Sequence, residues 1–250
     1  MGPGPVPNEP SADAGGSSGL GPAAVPVIGL AHGSRHPRGA EAIERLMTEV
    51  GTQLDVPSRV AYLDLAAPDL AAVAAELVAA GHTRAVVVPL LFTVAFHATV
   101  DVPEAIQEAE QSTGLDLLTA DIVGTGDDVV EVLQAGLVDA GAGADDAVLV
   151  FAVGSSNPAA NAAVADLAGR LGAVRGVHAR AAFGTCAPRV DEVLADLDGP
   201  LAVAPLFLAE GLLLDPVRRL AAERGWTMVE PVGERAADLV LRRYRAAVPG

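Results

Sequence analysis

Three side chains in the first half of the sequence, His32, Asp64 and His97, are of the types that bind a metal ion and move protons. A neutral imidazole is a good ligand for Fe2+, Co2+, Ni2+ or Zn2+. Two imidazoles and one carboxylate leave coordination positions open, which suits transfer or catalysis better than a closed structural cage. The same groups accept protons, since an unperturbed histidine has a pKa of about 6.5. Each residue also has a plainer reading. His32 lies in Leu30-Ala31-His32-Gly33-Ser34, a strand-to-helix turn where a histidine often bonds only its local backbone. Asp64 lies near Pro68 and could cap a helix or be buried and hydrogen-bonded. His97 could be an ordinary loop residue, and it is too far from His32 in sequence to form a local metal motif. Gly33-Ser34 could present backbone N–H groups to an anion, a weak signal on its own.

The second half of the chain repeats the first without this chemistry. Leu30-Ala31-His32-Gly33-Ser34-Arg35-His36-Pro37 aligns with Phe151-Ala152-Val153-Gly154-Ser155-Ser156-Asn157-Pro158. Ala61-Tyr62-Leu63-Asp64 aligns at the same offset with Ala182-Phe183-Gly184-Thr185. Val88-Pro89-Leu90-Leu91-Phe92 aligns with Ala204-Pro205-Leu206-Phe207-Leu208 after a small gap. Two copies of one unit are therefore expected. His32, Asp64 and His97 become Val153, Thr185 and Gly211, which predicts one active site, in the N-terminal half.

Each copy alternates short apolar runs with helical patterns. In the first, strands are expected at 25–30, 59–65, 85–91 and 116–120, and helices at 39–50, from Pro68, from 101 to about 111, and at 127–140, with a loop at 92–100. In the second, strands are expected at 147–153, 177–183, 200–208 and 226–230, and helices at 158–171, 188–197, 214–224 and 234–247. Continuous apolar strands alternating with helices imply a parallel sheet covered on both faces. The fold expected is α/β, with two similar lobes that are each a parallel four-stranded sheet flanked by helices. Ligands of such sheets bind beyond the carboxyl ends of the strands, where His32, Asp64 and the His97 loop all fall.

Composition narrows the partners. The net charge of −16 argues against nucleic acid and anionic membrane surfaces. No apolar run approaches the roughly 20 residues that span a bilayer. A single cysteine excludes an internal disulfide and fits the reducing cytoplasm. Residues 1–24, rich in Pro, Gly, Ser and Ala, lack a basic start and an apolar stretch, so a disordered tail is expected rather than a signal peptide. The lobes are expected at 25–140 and 147–250, joined by a linker at 141–146, in a monomer with pseudo-two-fold lobes.

Taken together, these pieces resemble the sirohydrochlorin chelatase family, class II tetrapyrrole chelatases, in its long two-lobed form. The resemblance rests on Gly29-Leu30-Ala31-His32-Gly33-Ser34-Arg35, on Ala61-Tyr62-Leu63-Asp64-Leu65-Ala66-Ala67-Pro68, and on Val87-Val88-Pro89-Leu90-Leu91-Phe92 followed by His97-Ala98-Thr99-Val100-Asp101-Val102-Pro103. It covers both lobes, from Val25 to Val248. It implies that His32 and His97 handle the metal and that Asp64 stands where many members carry a glutamate. It also implies a glycine-richer segment in many members where this chain has Thr93-Val94-Ala95-Phe96. The implied reaction places Fe2+ into sirohydrochlorin, giving sirohaem, with no cofactor beyond the divalent metal substrate. Co2+ insertion towards cobalamin is the second reading, and Ni2+ stays open because the ligand set does not rank these metals. Sirohydrochlorin carries many carboxylates, so Ser34, Arg35 and Arg38 are the expected substrate contacts; arginine binds carboxylates with a two-pronged fork. Outside this class, a metal carrier or sensor would use the same histidines without turnover. A bare scaffold is disfavoured because the first lobe keeps all three residues.

Overall fold

The computed structural model describes residue 1 and residues 25–34, 36–94, 97–197 and 199–248; at Pro37, His97 and Ala98 it describes the backbone alone. The tail expected over 1–24, and Arg35, lie outside the described residues.

The first sheet is built from β1 (Val27–Ala31), β2 (Ser58–Tyr62), β3 (Arg84–Pro89) and β4 (Asp116–Thr119), in the order β2-β1-β3-β4 and parallel throughout. Its helices are α1 (Pro37–Leu54), α2 (Leu70–Ala79), α3 (Val102–Thr113) and α4 (Asp127–Asp139). The second sheet repeats this with β5 (Ala147–Ala152), β6 (Ala179–Phe183), β7 (Leu201–Pro205) and β8 (Thr227–Met228), in the order β6-β5-β7-β8. Its helices are α5 (Pro158–Arg175), α6 (Val190–Val193), α7 (Leu214–Arg224) and α8 (Ala237–Ala247). Every residue of β1, β5 and β7 is buried, as a central strand covered on both faces requires.

Local chemistry sets the helix ends. His36 Nδ1 accepts from Arg38 N at the start of α1, with Pro37 in the first turn where its missing N–H costs nothing. Asn157 Oδ1 accepts from Ala159 N at the matching start of α5. Pro68 does not open α2, contrary to expectation. Asp69 caps that helix through Ala72 N, and Pro68 lies before the cap behind a cis peptide, as Pro188 does in the second lobe. The loop expected at 92–100 is also shorter, because residues 97–101 form a π-helical turn leading into α3. The helix expected at 188–197 is one α-turn followed by a 3-10 turn.

The helices share out three apolar cores. One spans both lobes and takes Leu46 and Val50 from α1, Leu133 and Leu137 from α4, Leu167 and Leu171 from α5, and Leu239 and Val240 from α8. Those four helices fill the space between the sheets. α2 and α3 cover the outer face of the first sheet, while α6 and α7 cover that of the second. Polar ties reinforce the join. Arg243 of α8 donates to the carbonyl of Ile122 at 3.0 Å and to Asp128 at 2.7 Å, and the Tyr244 hydroxyl donates to the Val25 carbonyl at 2.7 Å.

Candidate active site

β1 ends at Ala31, and His32-Gly33-Ser34 leave its carboxyl end towards α1. The chain after β2 runs alongside. Leu63 N donates to Ala31 O at 2.9 Å and Asp64 N to His32 O at 3.0 Å, so the backbones of His32 and Asp64 are in direct contact. Gly33 makes this possible. Its φ is +99°, and a Cβ there would stand 1.9 Å from the Asp64 carbonyl oxygen. The Asp64 side chain is exposed, and its Oδ1 accepts from Leu65 N at 2.7 Å. Ser34 Oγ accepts from His36 N at 3.0 Å.

Half-buried His32 lines a cleft of about 790 Å3 between the lobes, a size ordinary for a small-molecule site. Both sheets contribute their carboxyl ends. From the first lobe come His32, Ser34, Ile43, Tyr62, Leu65 and Phe92; from the second come Val153, Ser155, Asn161, Phe183, Phe207 and Glu210. The wall is mainly apolar with a few polar groups, and Phe207 stacks on Phe151 with ring centres 5.9 Å apart.

Arg38 is exposed, at the foot of α1. Its charge reaches Glu230, whose carboxyl is held below its usual range chiefly by hydrogen bonds from Arg218, with Arg38 a smaller contribution. One nitrogen of Arg218, Nη2, donates to Glu210 at 2.7 Å and to Glu230 at 3.1 Å. Two carboxylates thus converge on one guanidinium at the second lobe's side of the cleft.

The sequence-based candidates are brought together in part. His32, Ser34 and the Asp64 backbone form one turn; Arg38 is exposed in the first turn of α1, and neither it nor Asp64 is among the residues that line the cleft. His97 begins the π-helical turn that follows β3, but its imidazole lies outside the described residues, as does Arg35. Among the described residues no three His, Cys, Asp or Glu side chains gather into a metal-binding group. Val153, the counterpart of His32, is 44% exposed and belongs to the cleft wall. Sequence reasoning missed Tyr62, Asn161, Phe183 and Glu210. Tyr62 and Phe183 end β2 and β6 at matching places in the repeat, a signal that strand-end position alone would have given.

The CbiX family model matches residues 26–140 and 147–237. A sirohydrochlorin ferrochelatase of Priestia megaterium is 32% identical over 137 residues, 53% of this chain and 52% of that protein. The match therefore spans about half the length of that relative. A sirohydrochlorin cobaltochelatase of the same organism is 24% identical over 211 residues, 79% of this chain and 68% of that protein. Among solved structures, SirB from Bacillus subtilis with Fe3+ superposes with a TM-score of 0.76 at 23% identity, covering 89% of this chain and 94% of that one. That likeness is one of fold.

Proposed function

The chain belongs to the CbiX family, and from that premise we propose that it inserts a divalent metal ion into sirohydrochlorin. The observation that carries this reading is the cleft between the carboxyl ends of two duplicated sheets, with His32 in its wall on one side and Val153 opposite. Insertion removes two pyrrole protons as the metal enters. In our reading His32 and His97 hold the metal with open positions. The Asp64 carboxylate takes protons as they leave. Ser34, Arg35 and Arg38 meet the substrate's carboxylates. Fe2+ is the first choice, because the iron-inserting relative is the more similar of the two, 32% identical against 24%. Residues 25–140 then form the working lobe and 147–250 the opposing wall, joined by 141–146. One chain supplies both walls, so we read the working unit as a monomer, in the reducing cytoplasm that the free Cys186 suits.

Purified protein given sirohydrochlorin and Fe2+ or Co2+ without oxygen tests this through the visible absorption of the tetrapyrrole. Many turnovers per chain are expected. Metal binding that stops at one equivalent, with no metallated tetrapyrrole, would make the protein a carrier instead. His32→Ala and His97→Ala should each lower the rate by about a hundredfold or more, the usual worth of a positioned catalytic group, with Tm almost unchanged. Wild-type turnover from His97→Ala would remove that residue from the mechanism.

A further inference from the structure

Tyr62 is the last residue of β2 and lines the cleft. The residue is 3% exposed, and its hydroxyl oxygen is buried with no hydrogen-bond partner among the described residues. Burial, and after it the negative charge of Glu44, raises the phenol's pKa. A tyrosine hydroxyl is a neutral donor, and this one has no acceptor among the described residues. A buried donor in that state destabilises the fold, so its presence needs a reason.

The duplicated lobe excludes packing as that reason. The counterpart of Tyr62 is Phe183, the last residue of β6. It pairs with Ala152 as Tyr62 pairs with Ala31, is equally buried, and lines the same cleft. A phenyl ring fills this place in the fold without an oxygen, so the hydroxyl is additional chemistry on one wall only.

We propose that Tyr62 is a substrate-binding residue whose hydroxyl donates a hydrogen bond to a peripheral carboxylate of the tetrapyrrole in the cleft. This rests on the reading of sirohydrochlorin as substrate. Tyr62 already lines the cleft, so contact requires that the atoms covering its oxygen give way as the macrocycle seats. With Phe183 opposite, the donor makes the two walls unequal and favours one orientation of the macrocycle.

Tyr62→Phe tests the proposal, since Phe183 demonstrates that the position accepts the substitution. The variant should melt at or above the wild-type temperature, because it removes an unpartnered buried donor. Its affinity for metal-free sirohydrochlorin, read from the quenching of the ligand's fluorescence, should fall about tenfold, as expected for a hydrogen bond to a charged acceptor. Its affinity for Co2+ alone should not change. Equal sirohydrochlorin affinity in the two proteins would overturn the proposal, and so would a lower Tm, which would give the hydroxyl a structural partner. A wild-type protein that binds no sirohydrochlorin would instead bring down the functional reading, and this proposal with it.

Discussion

A methyl group at position 33 would stand 1.9 Å from the carbonyl oxygen of Asp64, on a backbone already at φ +99°. Backbone cannot step aside as a side chain can, so Gly33→Ala must push the Asp64 turn away from His32. We expect it to cost more than about 1 kcal/mol and to lower chelation at least tenfold. The counterpart Gly154 is also at positive φ, but an added Cβ there meets side-chain atoms first, Cys186 Sγ at 2.7 Å and Phe183 Cβ at 2.8 Å. Gly154→Ala should therefore lose stability while keeping most of its activity. Melting curves and chelation rates for the two variants check this, and equal losses of activity would refute it. The sequence displayed this glycine as part of a repeated motif, but not why it is needed, because the constraint comes from a chain segment some thirty residues away. The place of Val153 is hidden in the sequence for a related reason. It looks like a core valine in an apolar run, yet it lies just past the end of β5, where the sheet opens into the cleft. At 44% exposure, Val153→Ala should change stability by no more than about 0.5 kcal/mol.

Among the elements, α4 and α8 are joined by a partly buried ion pair. Burial alone would raise the pKa of Asp128, but the hydrogen bond and charge of Arg243 outweigh it and hold the carboxyl below its usual range. A carboxyl whose pKa is lower folded than unfolded adds stability above the unfolded value, about 3.9, and loses it as pH falls through the folded value. Asp128→Asn should therefore cost about 1–2 kcal/mol at pH 7, the scale of a charge-assisted hydrogen bond, and almost nothing in acid strong enough to protonate the wild-type carboxyl too. Denaturant unfolding under the two conditions decides, and a cost that persists in acid would mean that shape, not charge, holds the join. This pair was hidden in the sequence, since no local pattern links residues so far apart. The strands were legible because a parallel sheet covered on both faces demands unbroken apolar runs such as Val27–Ala31 and Ala147–Ala152. Element ends were less legible. β8 pairs through only Thr227 and Met228, and the chain at 194–196 tightens into a 3-10 turn.

Across the whole molecule the two lobes reach into each other at matching places. Asn157, which caps α5, also donates through Nδ2 to the Val94 carbonyl beyond β3, at 3.2 Å. Near the start of α1, Gly39 lies close to the Glu210 carbonyl beyond β7. Each lobe's first helix thus touches the other lobe's loop after its third strand, and both sheets open on one cleft. This symmetry of backbone carries an asymmetry of chemistry. Opposite His32 stands Val153, and the counterpart of Asp64 is Thr185, whose hydroxyl donates to the Val153 carbonyl at 2.8 Å. Gly211 occupies the place of His97. In our reading of the site, the second lobe lacks imidazole and carboxylate at these three positions and so lacks the corresponding ligand set. Titration of the protein with Co2+ should accordingly give one site per chain. His32→Ala should weaken that site, because in our reading the imidazole is one of the two ligands that hold the metal. Val153→His should not create a second site of comparable affinity, since the added imidazole would find Thr185 and Gly211 where Asp64 and His97 stand in the first lobe. Two equal sites in the wild-type protein, or an unchanged single site after His32→Ala, would refute the division of labour between the lobes.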